Sequence, residues 1–354
     1  RTIDSEGHVL GGPFYYIENG MGKKWKWLAK IFAFFGACVG LMGIGTFSQV
    51  NGISSAVVGF FDPNCENTVT IFGNTYSIVT VISGVIIALC AGLVIIGGLK
   101  RISSVSQIVV PFMALLYIIA VVVLLICNIT KIPAAIVEII EGAFGIRPIA
   151  GGMLASMLIS MRNGVARGIF SNESGLGSAP IAAAAAKTHE PVRQGLISMT
   201  GTFIDTIVIC TMTGLSIVMM GSWSNEALQG VQVTTDAFQK GLHFLPAQAA
   251  SFILMICLVF FAFTTILGWN YYGERCLEYL SGKNKVAVMI YRILYIAAVF
   301  IGPYMTVSEV WTIADIFNGL MAFPNIIALF ALNGVIARDT KDYFARLKKG
   351  EISD

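Results

Sequence analysis

Charge is scarce in this sequence. Only 12% of its 354 residues are Asp, Glu, Lys or Arg, whereas 56% are hydrophobic and the mean hydropathy is +0.78. Soluble domains carry about 25% charged residues. A soluble fold of this length would expose too much apolar surface. Histidine is nearly missing: His8, His189 and His243 are the full set, all in expected loops. No P-loop, HExxH, GxSxG or dinucleotide fingerprint occurs, so the common hydrolase, metalloprotease and nucleotide-dependent chemistries lack their residues. No long basic tract exists to grip nucleic acid. The seven cysteines form no CxxC pair, and six lie in or beside apolar runs. They read as apolar filler, neither a disulfide framework nor a zinc site. Alternating segments of about ten residues, the mark of an outer-membrane barrel, are also missing. The chain begins at Arg1 with a polar stretch and no signal peptide, so a cut inside a longer protein is expected.

What is present is a set of long apolar runs, and these predict an all-α, polytopic membrane protein. Eight spans are expected, near 27–60, 75–98, 104–127, 149–169, 194–220, 248–272, 286–303 and 306–336. The first is long enough to require tilt. The last contains Pro324, which predicts a kink or two half-helices. Residues 133–144 are too short to span; Ile136, Ile139 and Ile140 share a face opposite Glu138. An amphipathic helix on the outer surface is expected, with a re-entrant half-helix as the second reading. Lys and Arg concentrate in alternate loops, including Lys23–Lys30, Lys100 and Arg101, and the tail around Arg346, while 62–74 and 304–305 have none. This places both the N-terminal segment and the C-terminal tail in the cytoplasm. The first span carries Gly36, Gly40, Gly43 and Gly45, and small residues four apart let helices approach closely in lipid.

Polar residues inside apolar runs are costly and point to cavities or partners. Thr264 and Thr265 precede Gly268 and Trp269 in the sixth run. Thr265 and Trp269 share a helical face. The threonine hydroxyls suit a small hard cation, or they bond back to the preceding turn. Asp205 sits mid-run beside Thr206, either bound to neighbouring helices or titrating. Gln49, with Ser48 and Asn51, either holds helices together or grips a substrate. Glu309, Asp315 and Asn318 mark the last run; Asp315 and Asn318 could pair with Arg or hydrate a pathway. Between runs lies Arg167-Gly-Ile-Phe-Ser-Asn-Glu-Ser-Gly-Leu-Gly-Ser-Ala-Pro180. Lipid satisfies neither its backbone nor its carboxylate. The stretch lines water, sits within protein or forms a cytoplasmic loop. Glycine-rich polar interruptions of this kind occur in transporters.

That motif resembles the alanine or glycine:cation symporter family. The same holds for Gly11-Gly-Pro-Phe-Tyr-Tyr16, Gln194-Gly195 with Phe203-Ile-Asp-Thr206, Gly268-Trp-Asn-Tyr-Tyr-Gly-Glu274 and Asn318-Gly-Leu-Met-Ala-Phe-Pro-Asn325. The resemblance runs in order over essentially the whole chain. It implies one transporter domain over 1–354 with the LeuT-type inverted repeat. The eight spans correspond to core spans three to ten, and the domain is incomplete at its N-terminal side.

The resemblance further implies sodium-coupled uptake of small neutral amino acids, alanine or glycine, across the cell inner membrane. It implies no enzyme activity, no cofactor beyond Na+ as coupling ion, and a monomer in lipid with no nucleic-acid partner. Carried over by position, Thr264 and Thr265 become the sodium-side hydroxyls. Thr265, Trp269, Met157, Ser160, Met161 and Gln49 become substrate-pocket residues. Asp205, Phe170, Asn172 and Glu173 fall to the inner gate or to folding. Proton coupling through Asp205 and a channel-type protein remain as alternatives.

Overall fold

A computed structural model describes residues 2–3, 9–71, 73–144 and 153–352. Two short antiparallel ribbons, β1 (Thr2–Ile3) with β2 (Val9–Leu10) and β3 (Thr68–Ile71) with β4 (Asn74–Ser77), are the sheet structure of these residues. Everything else of regular structure is helical: α1 (Pro13–Gly20), α2 (Lys26–Met42), α3 (Phe47–Phe61), α4 (Ile78–Ile96), α5 (Gly98–Cys127), α6 (Ile132–Ala143), α7 (Met153–Asn172) and α8 (Ala179–Ala183). There follow α9 (Pro191–Phe203), α10 (Thr211–Met219), α11 (Val231–Gly241), α12 (Ala247–Ser281), α13 (Lys285–Ile301) and α14 (Val307–Lys348). The chain is an all-α polytopic membrane protein. Seven helical stretches among the described residues are long and apolar enough to cross a bilayer.

The run expected as an eighth span, 149–169, is the exception. Its first four residues lie outside the described set. Its remainder is α7, whose Arg162, Asn163, Arg167 and Asn172 keep it below the apolarity of the other seven. The run near 194–220 is one stretch of α9, a π-helical turn over Ile204–Cys210 that contains Asp205, and α10. Such π segments are uncommon and concentrate where function bends a helix. The last span neither divides nor stops. α14 continues for 42 residues with Pro324 buried inside it, so Pro324 costs one backbone bond without ending the helix. Residues 133–144 are helical in α6, with Ile136, Ile139 and Ile140 exposed together. Cys257 and Cys276 are buried and Cys38 is half-buried, whereas Cys90, Cys127 and Cys210 face outward.

The first span departs most from expectation. It is two helices, α2 and α3, separated by Gly43-Ile-Gly-Thr46. A broken helix inside a bundle must satisfy its freed carbonyls locally, since lipid cannot. Thr46 Oγ1 donates to the Leu41 carbonyl at 2.7 Å; Ser48 Oγ and Gln49 Nε2 each donate to that of Ile44 at 3.0 Å. The Tyr295 hydroxyl of α13 is shared between the carbonyls of Gly45 (3.0 Å) and Ile266 (2.7 Å). A Cβ at Gly45 would overlap the Trp269 side chain, so the break lets backbone and indole meet.

α12 is the hub, packed against α2, α3, α4, α5, α11 and α13. Small residues make this possible. A Cβ at Gly36 would fall 2.6 Å from the Cys276 Sγ, and one at Gly40 would fall 3.1 Å from the Trp269 carbonyl. Gly273 sits against the Tyr291 hydroxyl, which donates to the Ala37 carbonyl at 3.0 Å. At the inner ends of α12 and α13, Arg292 grips the Glu274 carboxylate bidentately at 2.7 and 2.8 Å. Far along α14, Arg346 does the same to Glu190, just before α9, at 2.8 and 2.9 Å.

Gly273→Ala is expected to lower stability by about 1–3 kcal/mol through overpacking against Tyr291. Adding Tyr291→Phe should recover part of the loss. Thermal unfolding in detergent measures both; a neutral Gly273→Ala would remove this contact from the helix seam.

Candidate functional site

Four helices converge where the chain leaves the α2–α3 break. Ser48 and Gln49 of α3, Phe170 of α7, Ala262 of α12 and Trp311 of α14 line a cavity of ≈ 390 Å³, with the loop at 229–230 against its other side. Gln49 is positioned by its bond to the Ile44 carbonyl, so the helix break also aims the amide. Phe170 packs on Trp311 with centroids 4.7 Å apart. The Arg167 guanidinium lies 4.4 Å from the Trp311 ring and bonds Asp315 at 2.5 Å. The two aromatic walls are thus tied by a cation–π contact and an ion pair between α7 and α14. The carboxylate of α14 anticipated to pair with an arginine does so.

The two threonines lie lower on α12. Thr264 Oγ1 donates to the carbonyls of Phe260 (3.1 Å) and Phe261 (3.0 Å), and Thr265 Oγ1 to that of Phe261 at 3.0 Å. Thr264 also faces the Met113 sulfur of α5 at 3.7 Å. A hydroxyl that donates backward keeps its oxygen lone pairs free, so either threonine could still ligate a hard cation. Trp269 is 1% exposed and packs edge-on against Tyr272 at 5.3 Å. Neither Thr265 nor Trp269 lines the cavity beside Gln49; that wall is Leu258 and Ala262, a turn or more further out.

Met157 is half-buried, and Ser160 and Met161 are exposed on α7; none of the three joins the cavity. The structure therefore brings Gln49 and Phe170 together, sets Thr264, Thr265 and Trp269 below them, and leaves Met157, Ser160 and Met161 apart.

The glycine-rich motif follows α7. Asn172 ends α7, accepting from Thr206 Oγ1 at 2.7 Å and donating to the Gly168 carbonyl at 3.1 Å. Ser171 donates to Asp205 at 2.5 Å. Asp205, in the π turn, is therefore held to α7. Next comes Glu173, whose φ of 52° is left-handed, then Gly175 and Gly177 at 75° and 88°. Three such residues in five make a sharp reversal that only glycines and a constrained exception adopt. A Cβ at Gly177 would come within 2.7 Å of Pro13 and 2.8 Å of Phe32. Asn325 of α14 donates to the Gly175 carbonyl at 2.8 Å and accepts from the Tyr16 hydroxyl of α1. The reversal is thus packed against α1, α2 and α14, with Leu176, Gly177 and Ser178 buried.

Two features escaped sequence reasoning. The contact between Gly45 and Trp269 joins residues 224 apart, and glycine spacing alone reads equally well as helix packing. The Arg167–Trp311 stack has a better signal: a cation and an aromatic in facing apolar runs.

Comparison with known proteins bears on the whole chain. The profile of the sodium:alanine symporter family matches residues 1–354. An uncharacterized transporter of Haemophilus influenzae is 51% identical over 98% of this chain and 72% of its own length. The sodium/alanine symporter AgcS of Methanococcus maripaludis is 42% identical over 99% of this chain and 73% of its own. A probable sodium/glutamine symporter of Bacillus subtilis, GlnT, is 36% identical over 96% and 66%.

Arg167 and Asp315 are each nearly half exposed, so their pair is expected to be worth only about 0.5–1 kcal/mol. A double-mutant cycle with Arg167→Ala and Asp315→Ala, read by melting, measures it. A coupling of zero would make the pair idle.

Proposed function

The chain belongs to the sodium:alanine symporter family, and from that premise we propose that it carries alanine or glycine into the cell together with sodium. Membership makes the protein a transporter and a symporter rather than an enzyme. The small substrate is our reading. It rests on the 42% identity, over nearly the whole chain, to a protein named a sodium/alanine symporter. The modest size of the cavity beside Gln49 is in keeping with it.

In this reading Thr264 and Thr265 offer hydroxyl oxygens to sodium, a hard cation that prefers such ligands. Trp269 and Gln49 wall and orient the amino acid, with Met157, Ser160 and Met161 bordering it on α7 in the substrate-loaded state. Phe170, Asn172, Glu173 and Asp205 belong to the gate region. Sodium favours the outward-open, substrate-competent state by binding it more tightly, and joint release follows when one set of helices rocks against the other. The lysine and arginine asymmetry places the N-terminal segment and the tail in the cytoplasm of a cell inner membrane.

A second reading has support in the relatives. GlnT, 36% identical, is named for glutamine. A longer amide substrate would need the Gln49 cavity to extend outward past Trp311. Proton coupling through Asp205 is less favoured, since that carboxylate is already held by Ser171.

Labelled alanine uptake by the full-length protein in proteoliposomes, with and without an inward sodium gradient, tests the proposal. Sodium-dependent alanine uptake, outcompeted by glycine and not by glutamine, is expected. Uptake that needs only a proton gradient would replace the coupling ion, and preferred glutamine uptake would replace the substrate. Thr265→Val and Trp269→Ala should each weaken alanine binding about tenfold or more, equivalent to about 1.4 kcal/mol. Unchanged affinity in both would remove these residues from the pocket.

A further inference from the structure

Glu173 is the unusual residue of the glycine-rich reversal. It is not a glycine, yet it holds a left-handed φ of 52°. Residues kept in sparsely populated backbone regions persist only where their surroundings over-determine them. Here the surroundings engage the side chain. The Ser178 hydroxyl, on a residue with no exposed surface, lies 2.5 Å from Glu173 Oε2. On the other side stands Trp269 of α12. Its buried indole N–H has no hydrogen-bond partner among the described residues, and its field favours the charged form of the Glu173 carboxyl. Tyr272, packed edge-on against that indole, also feels the carboxyl. The residue as a whole is half-buried, but its carboxyl is ringed by protein.

We infer that Glu173, in its protonated form, is the latch that holds the reversal at 173–178 against Trp269, and that loss of its proton to cytoplasmic water frees the reversal and opens the inner side of the site. The physical reasons are three. A carboxylate without a cation partner is expensive where water is excluded. Burial accordingly pushes the Glu173 carboxyl above the ordinary carboxylic range, and this outweighs the opposing influence of Ser178 and Trp269. Finally, the titratable neighbour of the carboxyl among the described residues is the phenol of Tyr272 from α12, while Tyr16 and Asn325 hold the reversal itself at Gly175. Glu173 is a positioning residue in this account: it acts on substrate through the indole.

The sign follows from linkage. The latched state binds the proton more tightly than the open state, whose solvated carboxyl titrates at its ordinary value of about 4.3. Latching is therefore fully favoured below that value and is lost progressively as pH rises toward the raised value of the closed state. Glu173→Gln keeps the shape of the neutral acid and cannot ionise, so it should stay latched at every pH.

The consequence for uptake rests on the symport reading above, but the latch itself can be tested without any substrate. Hydrogen exchange of the backbone amides at 173–178 would be followed in the full-length protein from about pH 5 to about pH 8, corrected for the intrinsic rise in exchange with pH. Protection in the wild type is expected to fall by tenfold or more across that window and to stay constant in Glu173→Gln. Trp269→Phe, which keeps a ring and removes the N–H that favours the ionised carboxylate, should shift the fall to higher pH. Identical, pH-independent protection in wild type and Glu173→Gln would overturn the inference, as would a fall of equal size in both. In proteoliposomes, uptake should accelerate with internal pH in the wild type alone. A latch that titrates in a protein without sodium-dependent uptake would instead count against the transport reading and leave the latch standing.

Discussion

The indole of Trp269 and the backbone at Gly45 occupy neighbouring space that no side chain at position 45 would allow. This close fit governs much of the bundle. It requires the first long span to break into α2 and α3, and the break requires replacement partners for carbonyls that lipid would leave bare. Thr46, Ser48, Gln49 and Tyr295 supply them. Gln49 is thereby both a structural donor and a wall of the cavity. One steric demand fixes a helix break, the register of α3 and the direction of a site amide.

Around that point α12 is the central element. α2 reaches it through Gly36 and Gly40, and its own Gly273 receives the Tyr291 side chain of α13, so the seam is close-packed. α7 and the motif behind it are attached differently. Hydrogen bonds and one ion pair to Thr206, Asp205, Asp315 and Asn325 hold them, beside apolar contacts at Phe170, Leu176 and Gly177. Close-packed apolar seams separate with difficulty, whereas polar ties exchange readily with water. The division between a rigid seam and a polar attachment is what rocking of one helix group against another requires.

Much of this was legible in the chain. Apolar runs located α4, α5, α12 and α13 closely, because length and hydropathy alone decide a membrane span. α6 was visible from the shared face of three isoleucines. Pro324 does not divide the last span: a buried proline inside a tightly held helix costs one bond, and surrounding contacts carry the helix through it. The break at 43–46 was not legible, since Gly36, Gly40, Gly43 and Gly45 form one series and only the partner across the interface separates packing glycines from the one that breaks the helix. For the site, residue type pointed to Gln49, and the family resemblance assigned Phe170 to the gate or to folding; both line the cavity beside the α2–α3 break. The burial of Glu173 depends on four elements distant in sequence, and no local pattern reports it.

α14 has a mechanical consequence. Its 42 residues span about 63 Å at 1.5 Å per residue, roughly twice the hydrocarbon thickness of a bilayer. The Arg346 end stands 22 residues beyond Pro324, an arm of about 33 Å. A rotation of about 10° at the proline would swing that tip by about 6 Å, farther than the bidentate grip on Glu190 can stretch. An angular change too small to disturb the packing around Pro324 would thus become an all-or-none rupture at the far end of α14, with the helix acting as a lever and the ion pair as its catch.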